Sequence, residues 1–359
     1  VKKGSEKRPK AEKGYGIFGR RLAMTRHLDG LSRRGFLRAS VATAVATGIG
    51  SRAALAQTYP DRNIEVIIPT REGGGADRLF RAFAGVWKNY LGADLEPGFF
   101  PGASGRVGYE VYLGKNEPDA YSLIFGNMGP EIAVMITSDA DYSFPEDFQY
   151  FCRLDNDPST LFVAADSPFK TVDDVVAAGK ERTLSVATSR LPHPASIGAL
   201  LLAEHTGAQL NLIPLSGGRN TIAGVVTGET DIGVLPSGSV AAAGEAVRTL
   251  AIWDDENPMP DKLNNAPTVN QHFGTSFPAL VSARAFGMHT KAIQDFPDRF
   301  EKLSATAKQA FDDPAWREAA AEAGQPLEIL KYGDLEACTN YVKGMIEVSE
   351  KYKSLLTGS

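Results

Sequence analysis

Ile64-Glu65-Val66-Ile67-Ile68-Pro69, followed by Thr70-Arg71-Glu72-Gly73-Gly74-Gly75-Ala76-Asp77, is the stretch on which the fold turns. The first six residues are a β-branched run stopped by proline, the pattern of a short buried strand. Beyond the glycines, Leu79, Phe80, Phe83, Ala84, Val86, Trp87 and Leu91 recur at helical spacing, which predicts a helix packed by one face. The alternation returns in Ser122 to Gly126, in Thr183 to Ala187 before a helix around Ile197 to His205, and in Asp231 to Leu235. Strand, loop and helix repeated in this way predict an α/β protein built on open, mainly parallel sheets.

Two polar or proline-bearing stretches, Asn156-Asp157-Pro158-Ser159 and Thr275-Ser276-Phe277-Pro278, each lie beside a new β-like run. They divide the chain into an outer part, 57–158 plus 281–359, and an inserted part, 159–280. Two crossings between two lobes suit a hinge. The tail reads as helices through Phe300 to Phe311, Trp316 to Ala323 and Tyr341 to Val348.

Charge is unevenly spread over the 359 residues. Residues 1–56 hold 13 of the 38 basic and 3 of the 43 acidic side chains, leaving the rest 25 basic against 40 acidic, a net charge of −15. Such a body repels nucleic acid and anionic membranes. Ser32-Arg33-Arg34-Gly35-Phe36-Leu37, the uncharged run Ala39 to Ser51 and Ala54-Leu55-Ala56 are the three parts of a twin-arginine signal peptide, with cleavage expected after Ala56. The run of about 13 residues is short of the ~20 that a spanning helix requires, so stable membrane insertion is not expected. The 2 Cys, Cys152 and Cys338, cannot make a disulfide scaffold or a four-ligand zinc site, and whether they pair is open. No metal and no cofactor is expected.

In open α/β sheets ligands collect beyond the carboxyl ends of strands, where helix N-termini point amide groups outward and welcome anions. Thr70 to Asp77 is such a loop, although it has neither a dinucleotide nor a P-loop spacing. Tyr59-Pro60 with the strand, Pro69, the triple glycine and Asp77 resembles the start of mature substrate-binding proteins of tripartite tricarboxylate transporters, the TctC or Bug family. The resemblance continues through Pro101-Gly102-Ala103-Ser104-Gly105, Pro118 to Leu123, Pro214-Leu215-Ser216-Gly217-Gly218, Gly228 to Asp231, Leu250-Ala251-Ile252, Ala266 to Val269 and Asp313-Pro314.

That resemblance implies a two-lobed periplasmic binding protein, of Venus flytrap form, that closes as a monomer on a small organic carboxylate and delivers it to membrane permease subunits. Carried over by position, the ligand-facing residues of the first lobe are Thr70, Arg71, Gly73, Gly74, Gly75, Ala76 and Asp77, with Asn127, Met128 and Gly129 from a second loop. The opposing lobe offers Thr188, Ser189, Arg190, His193, Gly217, Gly218 and Leu235, beside Ser196, Ser216, Arg219 and Pro236.

Departures from the family pattern sharpen the expectation. Arg71-Glu72 replaces a small or proline pair, Ala76 a hydroxyl residue, Arg190 a glycine, and Leu235 an Asp that meets the ammonium group in amino-acid-binding members. The site therefore gains cations and loses an anion, which favours a ligand with two or more carboxylates; an Arg fork matches a carboxylate in shape and charge. The competing reading turns each Arg outward onto a surface carboxylate such as Glu72. His193 is expected to donate a hydrogen bond or to change charge near pH 6.5. Asp77 is expected to cap its helix or brace the loop. No nucleophile elbow or haem motif is present and no Ser-x-x-Lys pair makes a convincing catalytic instance, so an enzyme is not expected. A ligand sensor of a signalling system needs the same clamshell and is the alternative.

Overall fold

The computed structural model describes residues 58–357, so the signal-peptide reading at 1–56 lies outside the described residues. Strand β1 (Ile64–Ile68) buries every side chain except Glu65, as its β-branched run requires. Helix α1 (Gly75–Leu91) packs Leu79, Phe80, Phe83, Val86, Trp87 and Leu91 inward and ends at Gly92, whose φ of +84° suits glycine. β2 (Leu95–Phe99), α2 (Arg106–Lys115), β3 (Ser122–Asn127), α3 (Met128–Thr137) and β4 (Phe148–Asp155) follow. β5 (Asp157–Ala164), α4 (Val172–Glu181), β6 (Leu184–Thr188), α5 (Pro194–Thr206), β7 (Leu210–Pro214), α6 (Gly218–Val226), β8 (Ile232–Pro236), α7 (Ser237–Ala243) and β9 (Val247–Trp253) repeat the alternation. β10 (Val281–Ser282), β11 (Arg284–His289) and β12 (Leu330–Gly333) complete the described strands, and the helix Leu335–Lys351 packs against α3 and β4 before a short last described helix, Lys353–Thr357.

The strands form two six-stranded sheets, one in the order β12-β4-β11-β3-β1-β2 and the other β10-β5-β8-β6-β7 with β9 on β5. Parallel neighbours occur at β2-β1-β3 and β7-β6-β8. β1 to β4 share one direction in the first sheet, and in the second every strand but β5 does; the antiparallel pairs arise where the chain changes sheet.

Those changes of sheet happen inside extended backbone. A single residue, Asn156, separates β4 in one sheet from β5 in the other, and a single residue, Ala283, separates β10 from β11. Asp157 and Pro158 belong to β5, and the return falls at Ala283 beyond the Thr275–Pro278 loop. β10 pairs with β5 there, with Ser282 opposite Asp157, so the two crossing strands lie side by side. Trp87, Trp253 and Trp316 are all buried in the cores. Cys152 and Cys338 are buried free thiols, and burial pushes both up, Cys338 to about 12. No described helix is long and apolar enough to cross a membrane.

Candidate functional site

A cavity of about 760 Å³ opens beyond the carboxyl ends of β1, β3, β6 and β8, walled by loops from both sheets. On one side stand Thr70, Arg71, Gly74, Gly75 and Ala76. Gly73, at φ +77°, turns the chain so that its amide donates to Asp77 Oδ2 at 2.7 Å. Asp77 is buried, and Arg81 Nε donates to its Oδ1 at 2.6 Å. Asp77 thus braces the loop and, with Gly73, stands outside the cavity wall. α1 begins at Gly75 with no side chain capping it, so its first-turn amides remain for a ligand. Arg71 is exposed and its guanidinium has no hydrogen bond or ion pair among the described residues. Glu72 pairs with Arg81 at 3.0 Å.

On the other side α6 starts at Gly218 behind Gly217, whose φ is +108°, again without a side-chain cap. Gly217, Gly218, Ser216, Leu235, Pro236 and Ser239 line this wall. Arg219 is exposed and stands outside it. Ser189, Arg190 and His193 complete the wall from the loop before α5. Thr188 lies beneath, fully buried and bonded to Ser196 Oγ at 2.7 Å and to the Arg190 carbonyl at 3.1 Å. Met128 and Gly129 are likewise buried under Asn127, which does line the cavity; a Cβ on Gly129 would stand 2.3 Å from the Val281 carbonyl.

Arg190 reaches across to the first lobe, where its Nη1 donates to the Ser104 carbonyl at 2.9 Å. Ala103 and Ser104 sit at φ +42° and +55°, a left-handed pair that aims this carbonyl inward. Burial lowers the pKa of Arg190, opposed by the nearby carboxyl of Glu131. Glu131 itself is pushed up to about 7 by burial, although Tyr109 Oη donates to it at 2.7 Å. His193 accepts from the Ala195 amide through Nδ1 at 3.0 Å, which leaves Nε2 as the protonated nitrogen, 3.3 Å from Ser282 Oγ. Burial and then Arg190 hold its pKa well below 6.5. The expectation of a charge change near pH 6.5 is therefore corrected: His193 is a neutral donor.

The floor was not foreseen. It is made by the crossing strands, with Asp157 on β5, Ser282 on β10 and Arg284 on β11. Arg284 pairs with Asp155, which is fully buried and also accepts from the Arg284 amide at 2.6 Å. Asp157 Oδ1 accepts from Ser237 Oγ at 2.7 Å and from the Gly238 amide at 2.8 Å, and burial raises its pKa to about 6. Leu235 lines the cavity in place of the family's Asp, but Asp157 supplies a carboxylate from a different element, which the sequence reading did not include. Ser104, Pro130 and Ser239 are further wall residues that motif reading passed over. Among the described residues no group of three or more His, Cys, Asp or Glu could hold a metal ion.

Two α/β sheets joined by two crossing strands, with a polar cavity between their loops, define a periplasmic binding protein. Solved structures share the architecture: a TctC solute-binding protein from Polaromonas superposes with a TM-score of 0.69 at 23% identity, covering 84% of this chain and 100% of that one. MatC from Rhodopseudomonas palustris with bound malate gives 0.63 at 20% identity, covering 82% and 100%. An R. palustris protein solved with adipate gives 0.63 at 21%, covering 84% and 98%. The "UPF0065 protein in gbd 5'region" of Cupriavidus necator is 26% identical over 302 residues, 81% of this chain and 89% of that protein. The profile of the tripartite tricarboxylate transporter family receptor, TctC, matches residues 99–335, and the chain belongs to that family. The family is one of periplasmic solute-binding proteins, not of enzymes.

Proposed function

We propose that this protein captures a small organic di- or polycarboxylate between its lobes and delivers it to the membrane permease subunits of a tripartite tricarboxylate-type transporter. The observation that carries the reading is convergence: two uncapped glycine helix starts and three arginines, Arg71, Arg190 and Arg284, line one cavity. Helix starts favour negative charge, and guanidinium groups grip carboxylates through paired hydrogen bonds. Malate and adipate, each with two carboxylates, occupy structural neighbours. The chain reaches the periplasm by the twin-arginine route, losing residues 1–56. It works as a monomer that shifts between open and closed states, bending where strands cross at Asn156 and Ala283, with the ligand touching both lobes only when they close.

A thermal-shift screen of the processed protein against mono-, di- and tricarboxylates tests this. A ligand at one hundred times its Kd adds about 2.7 kcal/mol of apparent stability, so a di- or tricarboxylate is expected to raise Tm by several degrees. A flat response to every carboxylate overturns the reading. Dependence of uptake on this protein in cells tests the delivery step.

A further inference from the structure

Asp157 is the only carboxylate in the cavity wall among the described residues, and its two oxygens are differently placed. Oδ1 is occupied by Ser237 Oγ and the Gly238 amide. Oδ2 accepts no hydrogen bond among the described residues, on a side chain whose residue is only 7% exposed. Gly238 leaves the space beside it open, since a Cβ there would stand 3.1 Å from Oδ2. A carboxylate oxygen that reaches a polar cavity with no protein donor on it is open to a donor on the ligand.

The charge of that donor follows from its neighbours. Arg284 stands close enough to act on Asp157 electrostatically, and Arg71 and Arg190 share the same wall. An ammonium group would meet the guanidinium groups of Arg71 and Arg190 against the one carboxylate of Asp157, Arg284 being already paired with Asp155, whereas a hydroxyl donates without adding charge. We infer that Asp157 makes the cavity select a hydroxy acid, a carboxylate ligand bearing a neutral hydrogen-bond donor, over its unsubstituted analogue. This rests on the carboxylate reading above and names the ligand class within it.

The test is calorimetric titration at pH 7.5 with acids matched in length, succinate against malate and glutarate against 2-hydroxyglutarate, together with aspartate. In the wild-type protein the hydroxy acid of at least one pair is expected to bind about tenfold or more tightly than its partner, the scale of a hydrogen bond to a charged group. In Asp157→Asn the amide oxygen keeps the Ser237 and Gly238 bonds while Nδ2 replaces Oδ2, turning the cavity-facing acceptor into a donor. A hydroxyl can still accept from Nδ2, but that neutral bond is about half as strong as one to a carboxylate, so the preference is expected to shrink to about threefold or less. Equal affinities within both wild-type pairs, or a hydroxyl preference undiminished in Asp157→Asn, overturn the inference while leaving the carboxylate reading intact. Aspartate bound more tightly than malate overturns the choice of a neutral donor. Binding of no carboxylate at all removes both readings. The wild-type comparison stands even if the variant fails to fold.

Discussion

Arg71 and Arg190 occupy opposite walls of the cavity and were expected to do the same work, yet the structure gives them contrary surroundings. Arg71 is exposed and unpartnered, on a loop held from behind by Asp77 and Arg81. Arg190 donates across the cleft to Ser104 and sits near the buried Glu131. The first is a free cation at the cavity wall; the second is a strap between lobes that also lines the cavity. A guanidinium in solvent contributes little to holding an anion, and a desolvated one contributes much, so the contrast predicts unequal effects.

The largest expected effect lies beneath Arg190. Glu131 rises from its ordinary 4.5 to about 7 because burial disfavours its charge. Below pH 4.5 both folded and unfolded forms carry the proton. As pH rises from 4.5 to 7 the unfolded chain releases it first, so stability falls across that window and levels off above it. Glu131→Gln is expected to remove this loss, about 3 kcal/mol at pH 8, read as a flatter dependence of denaturant unfolding on pH than in wild type. Parallel profiles for the two proteins would show that Glu131 is not held protonated.

Arg190→Ala comes next. It is expected to weaken a dicarboxylate by roughly ten- to a hundredfold, and a monocarboxylate far less, because a hydrogen bond to a charged group under burial is at stake. Equal losses for both ligands would break the contrast by making Arg190 purely a strap. Arg71→Ala is expected to cost less than about fivefold, and that cost should fade in 1 M salt, as for any exposed charge pair. A loss as large as that of Arg190→Ala would mean that the first loop folds over the ligand. Smallest of all, Arg219→Ala should leave binding within twofold, since Arg219 is exposed outside the cavity wall. Calorimetry on the three variants decides all three cases.

Much of the architecture was legible because apolar periodicity is a local signal. The run at Ile64 to Ile68, the stripe from Leu79 to Leu91 and the strand ending at Leu235 lie where their patterns place them. The glycine helix start at 73–75 was legible for the same reason, since such turns are punctuation in sequence, whereas Gly217 and Gly218 entered only through the family resemblance. The floor was not. Asp157, Ser282 and Arg284 sit in strands, where motif reading looks for packing residues, and Asn156 to Ser159 reads as a polar turn although β5 begins inside it. The clue was polar side chains within otherwise apolar runs, but nothing local says that these two runs cross side by side. Thr188, Met128 and Gly129 erred in the other direction: position along a loop cannot tell a residue that faces a cavity from one that props up its neighbour.

The sequence by itself determined the alternation of strands and helices, the glycine-marked helix starts and the family to which they belong, because each depends on spacing within a few residues. Tertiary structure alone decided which charges share the cavity. Asp155 meets Arg284 across 129 positions of chain, and Arg190 meets Ser104 across 86. The electrostatic character of a buried site is set by such distant neighbours and by the water they exclude, neither of which a linear pattern encodes.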